Sequence, residues 1–181
     1  MRSCAILDAS RPAGDLDGWV AGLAGALGAR GVEVRRFVLR GMRIQQCRGC
    51  FECWTRTPGR CRIRDDAEDV ARGVIASDVL VIASPIAMGF TTALARRALE
   101  RLLPLIHPFF EVVDGELHHR PRYPRRPALA LVHDGAGLDA EDEALLELLH
   151  RRVATSFRTR LALVASTRRT ATEVCDALAR V

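Results

Sequence analysis

The chain has 181 residues, of which 49% are hydrophobic and 27% charged. This fits one folded domain and excludes a disordered polypeptide. All 27 basic residues are arginines, and the net charge of +5 is a mild excess of the kind carried by a solvated surface, so no specific nucleic-acid partner is expected. The complete absence of lysine suggests a GC-rich coding sequence, and arginine is given no functional weight on that account. No apolar run approaches the roughly 18 residues of a spanning helix, so no membrane partner is expected. The first apolar run breaks at Asp8, too early for a secretory signal. A cytoplasmic location is expected.

Residues 5–7 read as the core of a first strand. Residues 17–29 carry Trp19, Val20, Leu23, Ala24 and Leu27 at helical spacing, closed by Gly31. Residues 32–39 alternate Val32, Val34, Arg36 and Val38 and read as a second strand. A long connection holding most of the cysteines follows. Residues 65–76 then form a helix with Asp66 as its expected N-cap. Residues 79–83 are continuously apolar, as in a strand covered on both faces. Residues 91–103 read as helix, and 104–126 as a polar, proline-rich excursion. Residues 128–132 form a fourth strand. Residues 139–154 form a helix whose acidic start and basic end complement its dipole. A fifth strand at 161–165 and a helix at 171–180 complete the chain. Strands alternating with helices throughout predict one α/β domain over residues 1–181. It is a three-layer, flavodoxin-like sandwich with a five-stranded parallel sheet in the order 2-1-3-4-5.

Cys47, Cys50, Cys53 and Cys61 follow the spacing C-x2-C-x2-C-x7-C, with Pro58 and Gly59 placed to turn the chain back. In a reducing compartment, thiols this close act together as metal or redox ligands. The spacing leaves an iron–sulfur cluster, zinc and free thiols all open. Cys4 and Cys175 fall in a strand and a helix and read as core residues. In an open parallel sheet, ligands bind beyond the carboxyl ends of the strands. Three turns are expected there: Ser10, Arg11 and Gly14 after the first strand; Pro85, Ile86, Ala87, Met88 and Gly89 after the third; His133 and Gly135 after the fourth. Small residues before a helix can present backbone N–H groups to a phosphate.

The cysteine block with Phe51, Trp54, Pro58, Gly59, Ile63, Asp65 and Asp66, followed by Ser77-Asp78 and Ser84-Pro85-Ile86, resembles the flavodoxin-like NAD(P)H-dependent FMN reductases. Within them it is most similar to the iron–sulfur flavoprotein branch. The likeness runs from about residue 3 to about residue 103. It implies FMN, with the phosphate at Ser10, Arg11 and the turn to Gly14, and the isoalloxazine ring edged by Pro85 to Gly89. It also implies NAD(P)H as reductant and a 4Fe-4S cluster on Cys47, Cys50, Cys53 and Cys61. Two positions depart from the family pattern. Asp15-Leu16-Asp17 stands where Asn-Thr or Ser is usual, and Ala87 replaces an aromatic residue. Carboxylates beside a phosphate repel it, so Asp15 and Asp17 are expected to point away from a bound phosphate.

The expected function is an oxidoreductase or electron-transfer flavoprotein, delivering electrons to a small molecule or a redox protein. The alternative is a redox or metal sensor, or a partner-binding protein, that keeps the fold without FMN. The resemblance implies a homo-oligomer, a dimer or tetramer. The excursion at 104–126, with Phe109 and Phe110, reads equally as its interface or as a surface loop packed on the core.

Overall fold

The computed structural model describes residues 1–135 and 137–180. Ala136, in the third expected ligand-binding turn, and Val181 lie outside the described residues. In chain order, β1 (Ser3–Asp8) leads through α1 (Asp15–Ala29) to β2 (Glu33–Val38), and α2 (Glu52–Thr55) and α3 (Ala67–Ala76) lead to β3 (Val79–Ala83). Two short strands, β4 (Ile86–Ala87) and β5 (Phe90–Thr91), precede α4 (Ala93–Glu100). A longer pair, β6 (Ile106–Val113) and β7 (Glu116–Pro121), is followed by β8 (Ala128–His133), α5 (Ala140–Ser156), β9 (Leu161–Ser166) and α6 (Ala171–Ala179).

The central sheet is five-stranded in the order β2-β1-β3-β8-β9, with every pairing parallel. This is the flavodoxin-like order expected, the fourth and fifth strands being β8 and β9. The apolar runs have a direct physical cause. Alternate residues of a strand face opposite sides of a sheet, and here both sides are covered. Ala5, Leu7, Leu80, Ile82, Leu129 and Leu131 pack in one cluster with Val70 and Val74 of α3, Ala95 and Leu99 of α4, and Leu146 and Ala154 of α5. Cys4, Ile6, Val79, Val81, Ala130 and Val132 pack in the other with Val20, Leu23 and Leu27 of α1 and Val174 and Leu178 of α6. Cys4 and Cys175 are both buried there, and burial with the neighbouring Cys175 pushes the Cys4 thiol up to about 12. These two cysteines are core residues, as expected.

The helix ends follow local chemistry. Asp139 and Asp142 form a capping box at α5, and Thr170 and Glu173 form another at α6. Asp66 stands at the N-cap of α3, as expected, but its side chain makes no capping hydrogen bond. Its carboxylate instead accepts the N–H of Arg43 at 2.6 Å, and Asp65 accepts the N–H of Ala67 at 3.1 Å. The capping role thus moves one residue back, because Asp66 is already tied to the preceding loop.

The excursion is a two-stranded antiparallel hairpin, β6–β7. Its turn is Asp114-Gly115, with φ of 50° and 82°, the pair of positive values that a tight hairpin requires. Ile106 packs against the core, while Phe109, Phe110, Val112 and Leu117 are exposed. Among the described residues, no helix is long and apolar enough to cross a membrane.

Candidate functional site

Parallel register brings the strand ends level. Asp8 pairs with both Val38 and Ala83, Ala83 with Val132, and His133 with Ser166. The turns that follow are therefore gathered at one edge. At the first, the Asp8 carboxylate is fully buried and accepts the N–H of Ser10 at 2.9 Å and Arg36 Nε at 2.8 Å. Arg40 reaches across from the turn after β2 and donates to Ser10 Oγ at 3.0 Å. Ser10 is thus buried inside a hydrogen-bonded cradle, while Arg11 is exposed and Gly14 is the N-cap of α1 with no side-chain cap bond.

The two aspartates of this turn behave differently. Asp15 is exposed. Asp17 turns inward: its carboxylate is 2.5 Å from Arg36 and 3.0 Å from Arg40, and one of its oxygens lies 3.4 Å from Ser10 Oγ. Partial desolvation works against its charge. The Arg40 hydrogen bond and charge, the Ala13 N–H and Arg36 outweigh it and hold the carboxyl below its ordinary value.

The second turn is a small antiparallel hairpin, β4–β5. Met88 and Gly89 lie at its tip with φ of 52° and 80°. Ser84 braces its base, accepting the N–H of Thr92 at 2.9 Å and pairing with Thr92 Oγ1 at 3.1 Å. Pro85 is buried and Ile86 half-buried, while Ala87 and Met88 are exposed. Asp134 ties this hairpin to the third turn, its Oδ1 accepting the N–H of Ile86 at 3.3 Å.

His133 is buried, and its Nδ1 accepts the N–H of Gly135 at 3.1 Å. Burial pushes its pKa down, so the ring is neutral at ordinary pH. Its ring thus acts as an internal brace for the turn. Gly135 has φ +67°, and a Cβ there would lie 2.9 Å from Ser166 Cβ. Gly135→Ala is therefore expected to lower the unfolding free energy by roughly 1–3 kcal/mol. A urea titration checks this, and an unchanged midpoint would mean that the turn relaxes freely.

The cysteine segment is held by a buried ion pair. Arg101, at the end of α4, is 3% exposed. It donates to both oxygens of Asp65, at 2.8 and 2.9 Å, to the Gln45 carbonyl at 2.8 Å and to the Ile63 carbonyl at 3.3 Å. Asp65 in turn accepts the N–H of Gln45 at 2.8 Å. Burial alone would raise the Asp65 pKa, but Arg101 and the two backbone donors lower it. One guanidinium thus ties both ends of the cysteine loop to α4. Trp54 closes the middle, donating from Nε1 to the Leu103 carbonyl at 3.3 Å. It also stacks on Phe51 and contacts His119 of the β6–β7 hairpin, with ring centroids 5.0 and 4.8 Å away. Gly59 packs against Arg122 and Tyr123.

Cys53 is buried, Cys47 and Cys61 half-buried and Cys50 exposed. Burial pushes the Cys53 thiol up to about 11, and the negative charge of Cys61, Cys47 and Cys50 adds to the rise. The other three sulfurs thus lie close enough to Cys53 to act on its thiol. Yet among the described residues no three His, Cys, Asp or Glu side chains are placed to hold a single metal ion.

Asp8, Arg36, Arg40, Arg101 and Asp17 in its inward pose were not singled out from the sequence as site residues. Arg36 carried a signal: it interrupts the apolar alternation of β2. Discounting arginine by composition concealed it.

The chain is 30% identical over 107 residues to an iron-sulfur flavoprotein of Archaeoglobus fulgidus, covering 59% of this chain and 48% of that protein. It is 26% identical over 105 residues to an iron-sulfur flavoprotein of Methanocaldococcus jannaschii, covering 58% and 53%. It thus spans about half the length of the curated relatives it matches. In three dimensions it resembles an FMN-dependent NADH-azoreductase of Bacillus anthracis, solved with FMN, with a TM-score of 0.67 at 9% identity over 99% of both chains. That likeness shows the fold. The family model for NADPH-dependent FMN reductase matches residues 18–163, most of the chain's length, and the chain accordingly belongs to that family.

Proposed function

We propose that the protein is an FMN-dependent NAD(P)H oxidoreductase that also holds a 4Fe-4S cluster on Cys47, Cys50, Cys53 and Cys61. The reading rests above all on the family match, joined here to four thiols on one segment pinned by one buried ion pair. When bound, FMN accepts hydride from NAD(P)H and releases electrons singly or in pairs, and a cluster of this type carries them one at a time. The chain's part is placement. Ser10, Arg11 and the turn to Gly14 would meet the flavin phosphate, with the ion-paired Arg36 and Arg40 beside it. The β4–β5 hairpin from Pro85 to Gly89, braced by Ser84 and tied to Asp134, would border the ring.

The donor set fits a cluster. Thiolates are the ligands that iron–sulfur clusters take. Arg101 adds a positive charge near Cys61, which favours an anionic cluster. Its Nε is buried with no acceptor among the described residues, leaving a donor for a negatively charged partner. The acceptor is proposed to be a small molecule or redox protein in the cytoplasm, and the working unit a homo-oligomer.

An absorption spectrum of protein purified without oxygen tests the reading. Flavin bands over a broad iron–sulfur shoulder, both bleached by NADPH or NADH, are expected. A colourless protein that takes up neither flavin nor iron would overturn it.

A further inference from the structure

The turn after β1 already holds an anion of its own. Arg40 donates to both Asp17 oxygens, at 3.1 and 3.0 Å, and to Ser10 Oγ at 3.0 Å. Arg36 lies 2.5 Å from Asp17 and 2.6 Å from Asp8. The hydroxyl and guanidinium groups that would serve a phosphate are thus already bonded to a carboxylate. That carboxylate belongs to the first turn of α1, where the helix dipole favours negative charge. Within this hydrogen-bonded group, Arg36 and Arg40 are balanced by Asp8 and Asp17. An arriving phosphate dianion meets no net positive charge from it.

We infer that Asp17 is an internal latch on the phosphate cradle: a phosphorylated flavin binds by displacing its carboxylate from Arg36 and Arg40, whereas an unphosphorylated flavin is spared that competition. The inference rests on the flavin reading above and goes beyond it by assigning one side chain control over the phosphorylation state of the ligand. Asp15 is in the same turn but exposed, so it has no such role.

The test compares FMN, riboflavin and inorganic phosphate on the flavin-stripped 181-residue chain and its variants. Asp17→Asn keeps size and one acceptor oxygen but removes the charge. Quenching of flavin fluorescence should show FMN binding about tenfold more tightly to this variant, the scale expected when one close like charge is removed. Riboflavin affinity should stay the same. Arg40→Gln should act in the opposite sense, weakening FMN and sparing riboflavin. Asp17→Ser, which also removes the charge, decides the matter if Asp17→Asn does not fold. An unchanged FMN affinity in Asp17→Asn, or equal shifts for FMN and riboflavin, would overturn the latch. If neither flavin binds any of the proteins, the flavin reading fails, and inorganic phosphate alone judges the latch. A larger phosphate-dependent rise in melting temperature for Asp17→Asn than for the native protein then upholds it, and the absence of that difference overturns it.

Discussion

Replacing Arg101 with alanine is expected to lower the unfolding free energy by about 3–5 kcal/mol, the cost of leaving a buried charge without its partner. The side chain is 3% exposed and makes four hydrogen bonds, two of them to the fully buried carboxylate of Asp65. Truncation leaves Asp65 with only backbone donors and frees the Gln45 and Ile63 carbonyls, which flank the cysteine segment on both sides. Arg101→Lys should recover only part of the loss, since an ammonium cannot match a planar fork. Asp65→Asn with Arg101→Met should cost less than the two single losses summed, because neither charge is then stranded. Urea denaturation of the native protein, Arg101→Ala, Arg101→Lys, Asp65→Asn, Arg101→Met and the double variant reads these differences. A loss below about 1 kcal/mol for Arg101→Ala would place the pair in the class of solvated surface bridges. Limited proteolysis gives a local readout: cleavage of Arg101→Ala should begin within residues 45–63.

Each of Cys47→Ser, Cys50→Ser, Cys53→Ser and Cys61→Ser is expected to remove most of the iron and acid-labile sulfide taken up in anaerobic reconstitution. Serine is nearly isosteric with cysteine but a poor ligand for soft metals. Cys4→Ala and Cys175→Ala should keep full iron, because both thiols are buried between the sheet and the α1–α6 layer. Four variants that retain native iron, or a native protein that takes up none, would end the cluster reading. The Cys53 thiol adds a signature in pH. Since burial and its three neighbours push it up to about 11, it is protonated at neutral pH and must lose that proton to bind. Affinity should therefore rise with pH below that value, by about tenfold per unit for each proton released. An uptake independent of pH between 7 and 9 would show that Cys53 is not a ligand.

The strand order and the layers were legible in the sequence because their causes are local. Residues 79–83 and 128–132 are continuously apolar because both faces of those strands are covered. The alternation of such runs with helical spacings leaves few topologies open. The cysteine spacing was equally plain, and the hairpin of residues 106–121 carried an Asp114-Gly115 signal that proline content obscured. What the sequence could not decide was which distant charges meet. Asp65 and Arg101 stand 36 residues apart, Asp8 and Arg36 stand 28 apart, and Asp17 and Arg40 stand 23 apart. No periodicity links them. Their pairing follows from the register of β1 with β2 and from the packing of α4 against the loop before α3. For Asp17, the sequence predicted repulsion between its carboxylate and a bound phosphate. Only the tertiary structure turned that side chain inward, because two arginines delivered by the neighbouring strand and the turn after it make the cradle the most favourable place for a negative charge.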